Sequence, residues 1–187
     1  MVKTTAEALQ AMETTVGRYL AELTRLDMEQ LLYKTNEEEW SIGQMFVHLI
    51  QSAQFMHLRN VEQCLAGSEA TVDAAERKTE RGEEAFACGS YPSIRIRVPA
   101  SPQYTPRQPE SKGQLAEGLH AVVERMKQTE AAVNESPDGR KMVHPGFGAL
   151  NAKEWFLIID MHYRHHLAQL ERLKASLAAA EVGQING

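Results

Sequence analysis

The chain has only two cysteines, Cys64 and Cys88, among 187 residues. That is too few for a disulfide framework, and they lack the paired spacing of a zinc finger. A reducing cytoplasm is the expected compartment. Cys88 stands beside Gly89 in ACGS, which reads as loop, and a loop thiol with no base or helix start beside it is expected to be a bystander. Basic residues are in the minority, 20 Lys and Arg against 25 Asp and Glu, for a net charge of −5. Without a general positive field, neither nucleic acid nor an acidic membrane surface is an expected partner. Long hydrophobic runs are missing too. Polar residues interrupt every apolar stretch, and the opening MVKTTAEALQAMETTVG has neither signal-peptide nor membrane-spanning character. Strand patterning is confined to SIRIRVP, where Ile94, Ile96 and Val98 alternate with Arg95 and Arg97 before a proline. There is no internal repeat.

What remains is helix. With 43% hydrophobic and 24% charged residues, the chain is expected to form a single domain over residues 1–187. Four segments carry helical periodicity. In the first, Leu9, Met12, Val16, Leu20 and Leu23 recur at spacings of three and four, one stripe of a helix. The second opens with Ser41 and Gln44 as a capping box, and Trp40 is placed to staple onto Met45. Ser111 and Gln114 repeat the box ahead of Leu115, Leu119, Val122 and Met126. Asn151 and Glu154 repeat it again ahead of the fourth helix, with Leu150 and Trp155 as a second staple. Four amphipathic helices with little else predict an all-α fold, a four-helix bundle.

The connections are unequal. The first two helices are joined by the acidic turn around TNEEEW, and the last two by NESPDGRKMVHPGFGAL, whose Pro and Gly content reads as loop. Between the second and third lie roughly forty residues, far more than the roughly 2–8 usual in a bundle. That length can run along the bundle or cover one end. The apolar and aromatic content of AFACGSYPSIRIRVPASPQYTPRQP predicts a long ordered connector rather than a flexible linker.

Three of the seven histidines fall within five residues of the fourth helix, in IIDMHYRHHLAQLERLK. His162 and His166, four apart, point the same way, and His162 shares its stripe with Trp155, Ile158 and Ile159. Imidazoles among apolar side chains must find partners, and one divalent ion can satisfy both. A surface pair or hydrogen-bonded core histidines is the plainer alternative. A third ligand would come from another helix, and His48 is the candidate, on the stripe of Met45, Leu49, Ser52 and Phe55; alone it reads as a satisfied core histidine. His57, nine residues further on, is turned to the opposite face and expected in solvent. His120 and His144 are expected to be structural or exposed, and His165 to flank the pair. Tyr163 and Arg164 lie off the His162/His166 line and are expected at the periphery. Gln169 either bonds near the site or marks a polar seam.

Trp40-Ser41-Ile42, then His48-Leu49, then FGALNAKEW, then His162-x-x-His165-His166-x-x-Gln169 together resemble the DinB/YfiT-like superfamily of metal-binding four-helix bundles, along the whole chain and in order. The resemblance implies that His48, His162 and His166 bind a divalent metal, zinc or nickel. It also implies an activity: thiol S-transfer using a low-molecular-weight thiol such as bacillithiol or mycothiol, or metal-dependent hydrolysis. A non-catalytic metal-binding bundle is the third reading. Three histidines without a carboxylate leave positions open on an ion, as in catalytic zinc centres. Such an ion can acidify water or hold a thiol as thiolate. Arg95 and Arg97 are the cations best placed to receive an anionic thiol or substrate if the connector covers the metal; solvated alternation on an edge strand is their plainer reading. Di-iron chemistry is set aside, because it needs Glu-x-x-His pairs and Met45 stands three residues before His48. Resemblance further implies a homodimer, and an all-histidine site implies that protons compete with metal near about pH 6.5.

Overall fold

A computed structural model describes residues 3–91, 105–137 and 139–185. Arg95, Arg97 and the SIRIRVP strand lie outside the described residues. The protein is predominantly helical, as the periodicity predicts, and among the described residues no helix is long and apolar enough to cross a membrane.

Helix α1 (Thr5–Arg25) begins at a capping box in which Thr4 Oγ1 accepts from Glu7 N at 3.2 Å and the Glu7 carboxylate accepts from Thr4 N at 2.7 Å. Met12, Val16 and Leu23 are buried as expected, but the stripe is rotated. Ala8 and Tyr19 complete it, while Leu9 and Leu20 are only partly covered. A short helix, α2 (Met28–Leu32), follows with its own box from Asp27 and Gln30. The second predicted helix is a composite rod: α3 (Ile42–Ser52), a π-helical turn (Ala53–His57) and α4 (Leu58–Ala66). The π turn holds one residue more than an α-helix would, with Leu58 N–H donating to Ala53 O five residues back. Adding one residue without adding a turn rotates everything downstream by about 100°. Phe55, expected on the inward stripe, is therefore 71% exposed, and His57, expected in solvent, is fully buried.

Helix α5 (Glu80–Cys88) lies in the long connector, ending in the exposed Cys88 where loop is expected. Helix α6 (Lys112–Glu135) buries Leu115, Leu119, Val122 and Met126 as predicted. The segment before the last helix, read as loop, instead contains a hairpin of β1 (Lys141–His144) and β2 (Gly148–Asn151), in register Lys141↔Asn151 to His144↔Gly148. Neither KMVH nor GALN alternates apolar with polar residues, so no strand pattern is legible in them. The connector clamps onto this hairpin through Val72 N to Lys141 O at 2.8 Å, Thr79 N to Phe147 O at 2.9 Å and Ala149 N to Arg77 O at 3.1 Å. Gly148 permits that close approach: its φ is +78°, and a Cβ there would stand 2.7 Å from Thr79 N.

Helix α7 (Ala152–Ile185) carries most of the site. It starts at the predicted box, with Asn151 Oδ1 accepting from Glu154 N and the Glu154 carboxylate accepting from Asn151 N, both at 2.9 Å. Helix α1 packs on α6 and α7, and the α3–α4 rod packs on the same two helices, so their apolar faces share one core. Tyr163 is fully buried rather than peripheral. Its ring meets Tyr19 edge-on at 5.8 Å, and the Tyr19 hydroxyl donates to the Tyr163 carbonyl at 2.7 Å, locking α1 to α7. Arg164 pairs with the buried Asp160 at 2.9 Å, as does Lys3 from before α1.

Candidate metal centre

The Ser41 box starts α3: Ser41 Oγ accepts from Gln44 N and Gln44 Oε1 accepts from Ser41 N, both at 3.0 Å. Two turns later the helix presents His48 to α7. There His162 continues the buried stripe of Trp155, Ile158 and Ile159, and His166 stands one turn above it. The structure thus brings His48, His162 and His166 together, with one ligand atom from each lying within 4.8 Å of the others. His162 Nε2 lies 3.2 Å from His48 Nε2 and 3.0 Å from His166 Nε2.

These separations suit an ion. At a metal–nitrogen distance of about 2.0–2.1 Å, two imidazole nitrogens stand about 2.9 Å apart at a right angle and about 3.4 Å apart at the tetrahedral angle. The outer nitrogens support the same conclusion. His166 Nδ1 lies 2.5 Å from Gln169 Oε1, and an amide oxygen only accepts, so Nδ1 carries the proton and Nε2 is bare. Ser52 Oγ lies 3.4 Å from His48 Nδ1 and can accept its N–H when His48 takes the same tautomer. Two bare nitrogens then face His162 Nε2, and one proton on that atom can serve only one of them. A cation serves all three.

Burial keeps the cluster neutral. It lowers His48 to about 4 and His166 to about 3, with the neighbouring His48 adding to the latter shift. His162 is pushed well below the ordinary histidine range by burial, then by His166, His57 and the other histidines. The groups are therefore ready as ligands at neutral pH with no proton to displace, and proton competition moves well below the pH of about 6.5 expected for ordinary histidines.

Several neighbours were not legible as such. Trp40, read as a staple for Met45, has its ring 4.9 Å from that of His48. Tyr91, from the connector, lies 5.4 Å from the His162 ring and 5.6 Å from His165. His57 is a fourth imidazole beside the cluster, 5.3 Å from His162 between ring centres. Trp40 and Tyr91 come to the site through tertiary packing, which residue spacing does not encode, and His57 through the π turn. His165 flanks the cluster as expected, half-buried and 5.4 Å from His166. His120 is exposed. His144 is structural: it stacks on Phe147, and its Nδ1 accepts from the backbone N–H groups of Gly146 and Phe147 at 3.0 and 3.1 Å. Gln169 serves the site, and Cys64 is buried with its Sγ toward Leu150 O.

A helical protein with a cross-helix, all-imidazole cluster able to hold a metal ion is the class that fold and site define. The chain belongs to the DinB superfamily, whose family model matches residues 11–170, a span that includes all three clustered histidines. It is similar to the uncharacterized protein YuaE of Bacillus subtilis (strain 168), with 26% identity over 163 residues covering 85% of this chain and 92% of that relative.

Proposed function

We propose that the protein is a metal-dependent enzyme, a thiol S-transferase built on a single-domain four-helix bundle of α1, the α3–α4 rod, α6 and α7. His48, His162 and His166 hold a divalent ion, zinc or nickel, and leave part of its coordination sphere free. The observation that carries this reading is the convergence of three neutral Nε2 atoms on one point. An ion held there supplies Lewis acidity that keeps a coordinated thiol ionised near neutral pH.

The chain's own residues do the rest. Gln169 holds the outer nitrogen of His166 and so fixes its inner lone pair, while Ser52 Oγ stands 3.4 Å from the outer nitrogen of His48 as its neighbour. Trp40 and Tyr91 line the imidazoles with aromatic surface that limits the water around them. Among the described residues the cluster is imidazole alone, and an ion there would ionise a bound thiol as readily as a bound water, the thiolate being the stronger nucleophile toward carbon. That favours a thiol over water as the nucleophile, with a low-molecular-weight thiol of the bacillithiol or mycothiol kind as donor and an electrophilic carbon on a small molecule as acceptor. The reading includes a homodimer working in the cytoplasm.

The test begins with metal content by mass spectrometry on tag-free protein, comparing wild type with His48→Ala and His166→Ala. The expected result is a near-stoichiometric ion in the wild type that is lost in both variants. Thiol consumption by the loaded protein then follows. Failure of the wild type to take up zinc or nickel would overturn the proposal, and turnover that needs no thiol would replace transfer with hydrolysis.

A further inference from the structure

Beside the cluster, three buried nitrogens have no hydrogen-bond partner among the described residues: Nδ1 and Nε2 of His57, and Nδ1 of His162. The two rings stand 5.3 Å apart between centres and cross at 83°. Buried polar atoms in folded proteins are nearly always paired, so three orphans on two adjacent rings call for a common explanation.

Tautomer arithmetic supplies one. His162 directs Nε2 at His48 and His166, so when that nitrogen offers its lone pair, the ring's single proton sits on Nδ1. A histidine that holds a metal is normally oriented by an acceptor for that second N–H. His166 has Gln169 and His48 has Ser52, which leaves His162 as the member without one. His57 is adjacent, and a neutral imidazole always has one bare nitrogen. Its place there follows from the π turn, which puts the α4 face one residue out of phase with α3.

We infer that His57 is the positioning residue for His162, accepting the Nδ1–H either after a small turn of the His57 ring or across a single water. The other His57 nitrogen then carries that ring's proton. This rests on the metal-dependent reading above but adds a residue that neither the His-x-x-x-His spacing nor the three-histidine cluster includes.

The experiment measures zinc affinity, thermal midpoint and imidazole ¹⁵N shifts for wild type, His57→Phe and His57→Gln. In His57→Phe, zinc should bind about 10–100-fold more weakly, while the thermal midpoint of the metal-free protein stays close to that of wild type, because the phenyl ring fills the same buried space. His57→Gln, whose amide oxygen accepts, should recover part of the affinity. Zinc-loaded wild type should show a protonated, hydrogen-bonded His162 Nδ1 whose signature shifts in His57→Phe. A merely structural His57 gives the opposite pattern, lower stability with unchanged affinity, and that result overturns the inference. If His57→Phe does not fold, the wild-type spectrum decides alone, since a His162 Nδ1–H without a hydrogen-bonded shift also overturns it. Wild-type protein that binds no zinc defeats the functional reading itself, which is distinct from normal uptake unaffected at position 57.

Discussion

Lowering the pH of the metal-free protein from 8 to 5 should remove a large part of its stability without any carboxylate taking part. Burial holds His48 at about 4 and His57 and His166 at about 3 in the folded state, against about 6.5 when unfolded. Between those values the unfolded chain binds protons that the folded one refuses, so stability rises with pH and falls on acidification. The loss begins near pH 6.5 and continues toward the folded values. At pH 5 the gap is about 1.5 units, worth about 2 kcal/mol for each histidine at about 1.4 kcal/mol per unit, or about 6 kcal/mol for the three. His162 is shifted in the same direction. Since a whole domain has about 5–15 kcal/mol of stability, the metal-free protein should approach unfolding at pH 5. Urea denaturation followed by far-ultraviolet circular dichroism at half-unit steps of pH measures this directly. A difference under about 2 kcal/mol between pH 8 and pH 5 would refute the reasoning, because it would mean that the imidazoles are hydrated or charged in the fold. Excess zinc at neutral pH should add about 2.7 kcal/mol when free metal is a hundredfold above its dissociation constant.

Three further substitutions test other parts of the fold. Gln169→Leu deprives His166 Nδ1 of its acceptor and should weaken zinc binding about 10–100-fold in a chelator competition; unchanged affinity would remove Gln169 from the site. Tyr19→Phe deletes the 2.7 Å bond to the Tyr163 carbonyl while keeping the edge-on ring, and should cost about 0.5–1.5 kcal/mol in chemical denaturation. Gly148→Ala should lower the thermal midpoint more than Gly89→Ala. Both glycines have positive φ, but only at Gly148 does the new Cβ meet backbone, 2.7 Å from Thr79 N and 2.8 Å from Arg77 O.

Much of the fold and site is legible in the sequence, for reasons that differ by residue. The boxes at Ser41 and Asn151 form as read because capping is local and needs only residues three apart. Ser111 does half of what was expected: its hydroxyl takes Gln114 N, but the Gln114 amide oxygen accepts from Glu110 N instead. His162 and His166 were legible because α7 is regular through them, so spacing translates into direction. His48 lies before the π turn, so spacing gives its inward stripe, but by spacing alone it reads as a core histidine, and its place beside the pair comes from the family resemblance. His57 and Phe55 were not legible, since counting in steps of 100° fails once an extra residue enters the helix. Trp40 and Tyr91 approach the cluster from outside the helices that carry it, and no periodicity in their own segments announces that.

The π turn also bears on how this rod can change length. Met45, Leu49 and Ala53 form one seam, and His57, Val61 and Cys64 continue it one register later. Deleting Phe55, whose ring already stands in solvent, would close the π turn into an ordinary α turn and leave both halves of the seam in phase. A single-residue deletion elsewhere in α3 or α4 would swing half the seam away from its partners. Residues 53–57 are thus the point in this helix where the gene can lose a codon without losing the core.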